Sequence, residues 1–158
     1  MGRVREIGRL RRRVRVGAPE RSLTPVSGLA AVTELVDRLG MVKLLDAAVG
    51  PIKIRDRGFT GGQLLVGMAS AQLAGEDFLV GLDRQRADVA GQVLVPVPGL
   101  SSTTAAGLVR RFTGGQWHVV ETGIGDIHTA MLAALPAVRA AALCDQVTID
   151  LDTTDVEV

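Results

Sequence analysis

The sequence predicts a mainly α-helical fold followed by one β-strand, and three observations lead there. Apolar residues make up 47% of the chain, yet aromatics are only 3% and tyrosine is absent. A core of Leu, Val and Ala with few rings suits helices better than a β-sandwich. Between Ser27 and Cys144, apolar residues recur at helical spacing and are interrupted by Gly and Pro. Only the last stretch, Thr148 to Val158 (TIDLDTTDVEV), alternates with period two.

At 158 residues the chain is long enough for one domain with its own core. The net charge of +1 is unevenly spread. Residues 1–22 hold Arg3, Arg5, Arg9, Arg11, Arg12, Arg13, Arg15 and Arg21 against Glu6 and Glu20, with few apolar residues between them. This reads as a basic disordered arm, either a phosphate-contacting segment or a solvated tail. A single cysteine, Cys144, excludes an internal disulfide and fits a reducing cytoplasm. No apolar run reaches the length of a membrane span, and the arm lacks the apolar centre of a secretory signal.

The ordered region begins near Ser27. Leu29, Val32, Leu35, Val36 and Leu39 lie at helical spacing, with Gly40 placed to end the helix. A short second helix carries Val42, Leu44 and Leu45 until Gly50-Pro51. The basic loop from Lys53 to Phe59 leads to Thr60, an N-cap for a helix bearing Leu64, Leu65, Met68 and Leu73. That helix is small or apolar nearly all round, so it should be central. Gly75-Glu76-Asp77 makes a turn, and a short helix from Phe78 carries Leu79, Leu82, Arg84 and Arg86.

Residues 91–100 read as an extended linker, because Pro96 and Pro98 remove donors and disfavour helix. Ser101 and Ser102 cap a helix with Leu108, Val109 and Phe112, ended by Gly114-Gly115. Two more helices follow, over roughly 116–135 with a break near Gly123–Gly125, and over 137–144. The final strand places Val147, Ile149 and Leu151 on one face, and Thr148, Asp150 and Asp152 on the other. A lone strand needs a sheet partner, so the strand is expected to open a sheet that continues beyond a truncated chain.

The acids on that strand allow three readings: solvated carboxylates on an exposed face, a phosphatase nucleophile, or a metal-dependent nuclease centre. Asp150-Leu151-Asp152-Thr153-Thr154 resembles the D-x-D-x-T motif of haloacid-dehalogenase-like phosphatases, where the first Asp attacks phosphorus. Asp-Thr-Thr at the end of an apolar strand also resembles the first acidic motif of DDE transposases. The chemistry of that motif uses two Mg²⁺ ions about 3.5–4 Å apart.

The upstream order separates the two. Arg57-Gly58-Phe59-Thr60, Gln63-Leu64, Asp83-Arg84-Gln85-Arg86-Ala87-Asp88 and the stretch from Ser101 to Phe112 precede the strand in that sequence. With the helix beginning SGLAAVTEL, they resemble the N-terminal region of bacterial insertion-sequence DDE transposases of the group designated thirteen-eighty. The resemblance spans residues 23–158, and the phosphatase reading has no such upstream support.

The resemblance implies a helical N-terminal domain over 23–145, followed from 146 to 158 by the first strand of a truncated RNase H-like catalytic domain. Asp152 matches the first catalytic, metal-binding Asp, with Asp150 as a neighbour tuning the metal. The second Asp and the Glu of the family have no counterpart here, so this chain alone is not expected to cleave DNA. The full enzyme would use Mg²⁺ to cut DNA at transposon terminal inverted repeats and transfer the strand. It would act as a homo-oligomer in the bacterial cytoplasm, with the nucleoid. Arg11, Arg12, Arg13, Arg55, Arg57, Arg110 and Arg111 are candidates for DNA phosphate contacts. The rival from another class is a non-catalytic helical remnant that binds DNA or oligomerises. His118 and His128 lie ten apart without ligand-spaced acids, Cys or His, and are not read as metal ligands.

Overall fold

The computed structural model describes residues 4–5, 14–15, 20–52 and 57–145. In the basic arm, β1 (Val4–Arg5) and β2 (Val14–Arg15) pair antiparallel, Val4 opposite Arg15 and Arg5 opposite Val14. Arg11, Arg12, Arg13 and Arg55 lie outside the described residues, as do Asp150, Asp152 and the whole expected strand.

The remainder is a mainly helical bundle. Helix α1 (Leu29–Leu39) buries Leu29 and Val36, two turns apart on one face. Gly40 then adopts φ 61°, and its N–H returns to the carbonyls of Val36 and Asp37. That left-handed cap is where glycine is favoured. It doubles as the residue before α2 (Met41–Val49), so the two helices meet at a one-residue corner.

Helix α3 (Gly61–Leu73) is central, as its composition predicts. Thr60 accepts from the Gln63 N–H at 3.2 Å, and the Gln63 side chain accepts from the Thr60 N–H at 2.9 Å. This is a complete capping box. Leu64 is wholly buried, and Val66 and Ala71 join it in a core with Val36, Leu45, Val49, Leu82, Leu100, Leu108 and Phe112. Helix α4 (Val80–Ala87) adds Leu82 to that core, and α5 (Ser102–Val109) adds Ala105 and Leu108. Ser101 caps α5 by accepting from the Thr104 N–H.

Three expectations need correction. Residues 91–100 are no extended linker. Gly91–Val93 form a 3₁₀ turn, and Val95, Val97 and Leu100 are buried against the bundle. The Gln92 amide ties this segment to α4, donating to the Gln85 carbonyl at 2.9 Å and accepting from the Gly99 N–H at 2.7 Å. Nor does the chain break near Gly123. Helix α6 runs continuously over Gly114–Ala133, capped by a second box of Thr113 and Gln116, so Gly114-Gly115 open this helix and do not end the previous one.

Gly123 is buried in α6 because a Cβ there would already lie 3.1 Å from both the Ala48 Cβ and Leu45 Cδ2. The missing side chain lets α6 lie close along α2, and the contact compensates the helix-propensity cost of glycine. Helix α7 (Ala137–Asp145) follows Pro136, and Val138 and Leu143 on it are exposed.

Gln85 is buried, and its Nε2 has no hydrogen-bond partner among the described residues. An unmade bond on a buried donor costs about 1–3 kcal/mol, whereas an apolar replacement of similar shape avoids it. Gln85→Met is therefore expected to match or exceed the parent in urea midpoint. A loss above about 1 kcal/mol would mean that the amide has a partner such as ordered water.

Candidate nucleic-acid interface

Two groups of charged residues can be compared directly: those that brace helices and those left free on the surface. The Asp83–Asp88 segment supplies braces. Asp83 accepts from the Ser102 backbone N–H at 3.0 Å and from the Ser102 hydroxyl, which ties α4 to the first turn of α5. Asp88 accepts from Thr24 Oγ1 at 2.5 Å and from the Gly91 N–H at 3.0 Å, joining the chain before α1 to the 3₁₀ turn. Arg84 forms an ion pair with Glu76 across the α3–α4 turn. Arg86 is exposed.

These contacts set the acid behaviour of the fold. The Ser102 hydroxyl, then its N–H, holds the Asp83 carboxyl below its ordinary value, and nearby Arg86 adds to the effect. The Arg84 hydrogen bond lowers Glu76 in the same way and raises Arg84. A carboxylate lowered in the folded state contributes stability above its unfolded pKa, which is lost as pH falls through the folded value. Unfolded Asp and Glu titrate near ~4. Stability is thus expected to hold above that value and decline below it. Urea midpoints across an acid series should show a shallower decline in Asp83→Asn than in the parent.

The Arg57-Gly58-Phe59-Thr60 and Gln63-Leu64 pieces also have structural work. Thr60 and Gln63 make the capping box, and the Gly62 N–H donates to Asp46 Oδ1 at 2.6 Å. A carboxylate on α2 thus satisfies a free donor in the first turn of α3. Asp46 carries no motif in the sequence, and only the approach of α2 to α3 reveals its role.

Arg57, Arg110 and Arg111 behave differently. All three are exposed, and none forms an ion pair among the described residues. Arg110 and Arg111 follow the last turn of α5, where the Arg111 N–H reaches the Leu108 carbonyl and the Phe112 N–H that of Val109. That turn buries Phe112 and leaves both guanidinium groups outside.

The Phe112 ring stacks on Trp117 with centroids 4.5 Å apart and lies 3.6 Å from where a Cβ on Gly61 would sit. Gln116 Nε2 donates to the carbonyls of Val49, at 3.1 Å, and Pro51, at 3.3 Å. Both ends of the loop containing Arg57 are therefore anchored on the α5–α6 turn that carries Arg110 and Arg111. Trp117 is engaged in packing on Phe112. Among the described residues, no three Cys, His, Asp or Glu side chains gather where they could hold a cation.

The described residues thus define a small helical bundle in which Arg57, Arg110 and Arg111 are exposed and form no ion pair among the described residues. No family model matches the chain, and no curated protein or solved structure matches it. No described helix is long and apolar enough to cross a membrane.

Proposed function

We propose that the chain is the helical N-terminal portion of an insertion-sequence DDE transposase, and that it contacts the phosphate backbone of transposon ends through Arg57, Arg110 and Arg111. The observation that carries the DNA contact is their placement: three exposed guanidinium groups with no ion pair among the described residues, on segments whose ends pack at one joint. Arg38 and Arg84, by contrast, are engaged by Glu34 and Glu76. Guanidinium forks suit phosphate oxygens, and unpaired ones bind without first breaking an ion pair. The ordered series of motifs from Arg57 to Thr154 supports the family reading. In that reading Asp152, with Asp150 beside it, supplies the first carboxylate for Mg²⁺.

The test is fluorescence anisotropy of the full chain on a duplex carrying the ends of its encoding element and on a scrambled duplex, over a salt series. The parent is expected to prefer the end duplex. Arg110→Ala/Arg111→Ala should weaken binding to both duplexes and reduce the log–log salt slope by roughly two, one per lost phosphate contact. An unchanged slope would remove these arginines from the interface, and equal affinity for both duplexes would overturn recognition of the ends.

A further inference from the structure

Helix α6 leaves an apolar stripe uncovered. Val120 and Ile127 pack against the core, and Gly123 lies against α2. Next to that buried edge, Trp117, Ile124 and Met131 are 42%, 44% and 41% exposed. They are spaced seven residues apart, so they form one nearly straight seam along the helix. A seam at heptad spacing matches another helix, whose side chains repeat at the same rise.

We infer that the occupant of this seam is α6 of a second copy of the chain, running antiparallel and centred on Ile124. The seam is self-complementary under a two-fold axis. Ile124 meets its own counterpart, and Trp117 of each copy faces the second copy's Met131, an aromatic–sulfur pairing that is favourable in itself. The flanks choose the direction. Glu121 and His128 are both exposed on the solvent side of the stripe. Antiparallel pairing sets Glu121 beside the second copy's His128, once on each side of the axis. Parallel pairing does not bring these two groups together. With α2 packed behind each α6, the dimer is a four-helix layer across the axis. This inference does not depend on the DNA reading.

Sedimentation equilibrium of the full chain is expected to give twice the monomer mass at high concentration, with a blue shift in the emission of Trp117, the only tryptophan. Ile124→Glu should raise the dimer Kd by about a hundredfold, the order for a central anchor lost from both copies, with an unchanged urea midpoint for the monomer. Orientation is read in a Cys144→Ser background. Ile124→Cys should cross-link to itself on oxidation, and a mixture of Trp117→Cys and Met131→Cys chains should give a mixed disulfide that neither gives alone. A monomer at every concentration would overturn the dimer, as would one whose mass survives Ile124→Glu. Homodisulfides of Trp117→Cys would overturn the antiparallel direction.

Discussion

Gly62→Ala is expected to destabilise the chain by roughly 3–5 kcal/mol, from forced overpacking and a broken charge-assisted hydrogen bond. A Cβ at Gly62 would fall 2.3 Å from the Val42 carbonyl oxygen and 2.9 Å from Asp46 Oδ1. The first neighbour is backbone inside α2 and cannot rotate away, so α3 must move off α2 as a body. That movement also breaks the Gly62 N–H bond to Asp46. In a domain of this size each kcal/mol lowers Tm by about 2–4 °C, so the loss is a large one. Gly115→Ala, in the first turn of α6 with open space around it, is the control and should melt with the parent. Thermal and urea unfolding of both variants decide the matter. A Gly62→Ala variant as stable as the parent would show that α2 and α3 do not approach this closely.

Leu64→Ala should cost about 2–5 kcal/mol, the range for truncating a buried leucine and leaving a cavity. Leu73→Ala should cost less than about 0.5 kcal/mol, as for a surface substitution. The residues share a type and a helix, but Leu64 is 0% exposed and Leu73 is 70% exposed. Leu64 belongs to the buried core cluster, whereas Leu73 closes the last turn of α3 outside it. The urea midpoints of the two variants should therefore separate widely. Equal losses would contradict the placement of the core.

Much of the helical order was legible in local chemistry. The Leu29, Val36 and Leu39 spacing with Gly40 after it specifies α1 and its end, because both features act within one helix. Thr60 and Ser101 announce the starts of α3 and α5, since an N-cap bond closes within three residues. The misreadings came from residues whose role depends on a distant neighbour. Gly123 reads as a helix break until α2 is seen against it, and the prolines of 91–100 read as a linker until Val95, Val97 and Leu100 are seen buried on the bundle. The Asp83–Asp88 segment reads as a charged motif, yet both of its acids are engaged in holding other segments in place.

The candidate site divides along the same line. The arginine pair Arg110-Arg111 is visible in the sequence, but whether an arginine is free depends on what lies across from it. Arg84 and Arg86 look alike in the sequence, and the fold gives Arg84 a carboxylate eight residues upstream. The loop of Arg57 and the turn of Arg110 are more than fifty positions apart in the chain. Gln116 joins the start of that loop to α6 through the carbonyls of Val49 and Pro51, and Phe112 packs at its end on Gly61.

By itself, the sequence determined the helical class, the capped starts of the helices and the central place of α3, all of which follow from periodicity and hydrogen bonds a few residues long. Only the tertiary structure decided which leucines form the core, which glycines are contact points, and which charges remain unpaired. Those properties are set by the surfaces that meet when the helices pack, and chain spacing does not encode them.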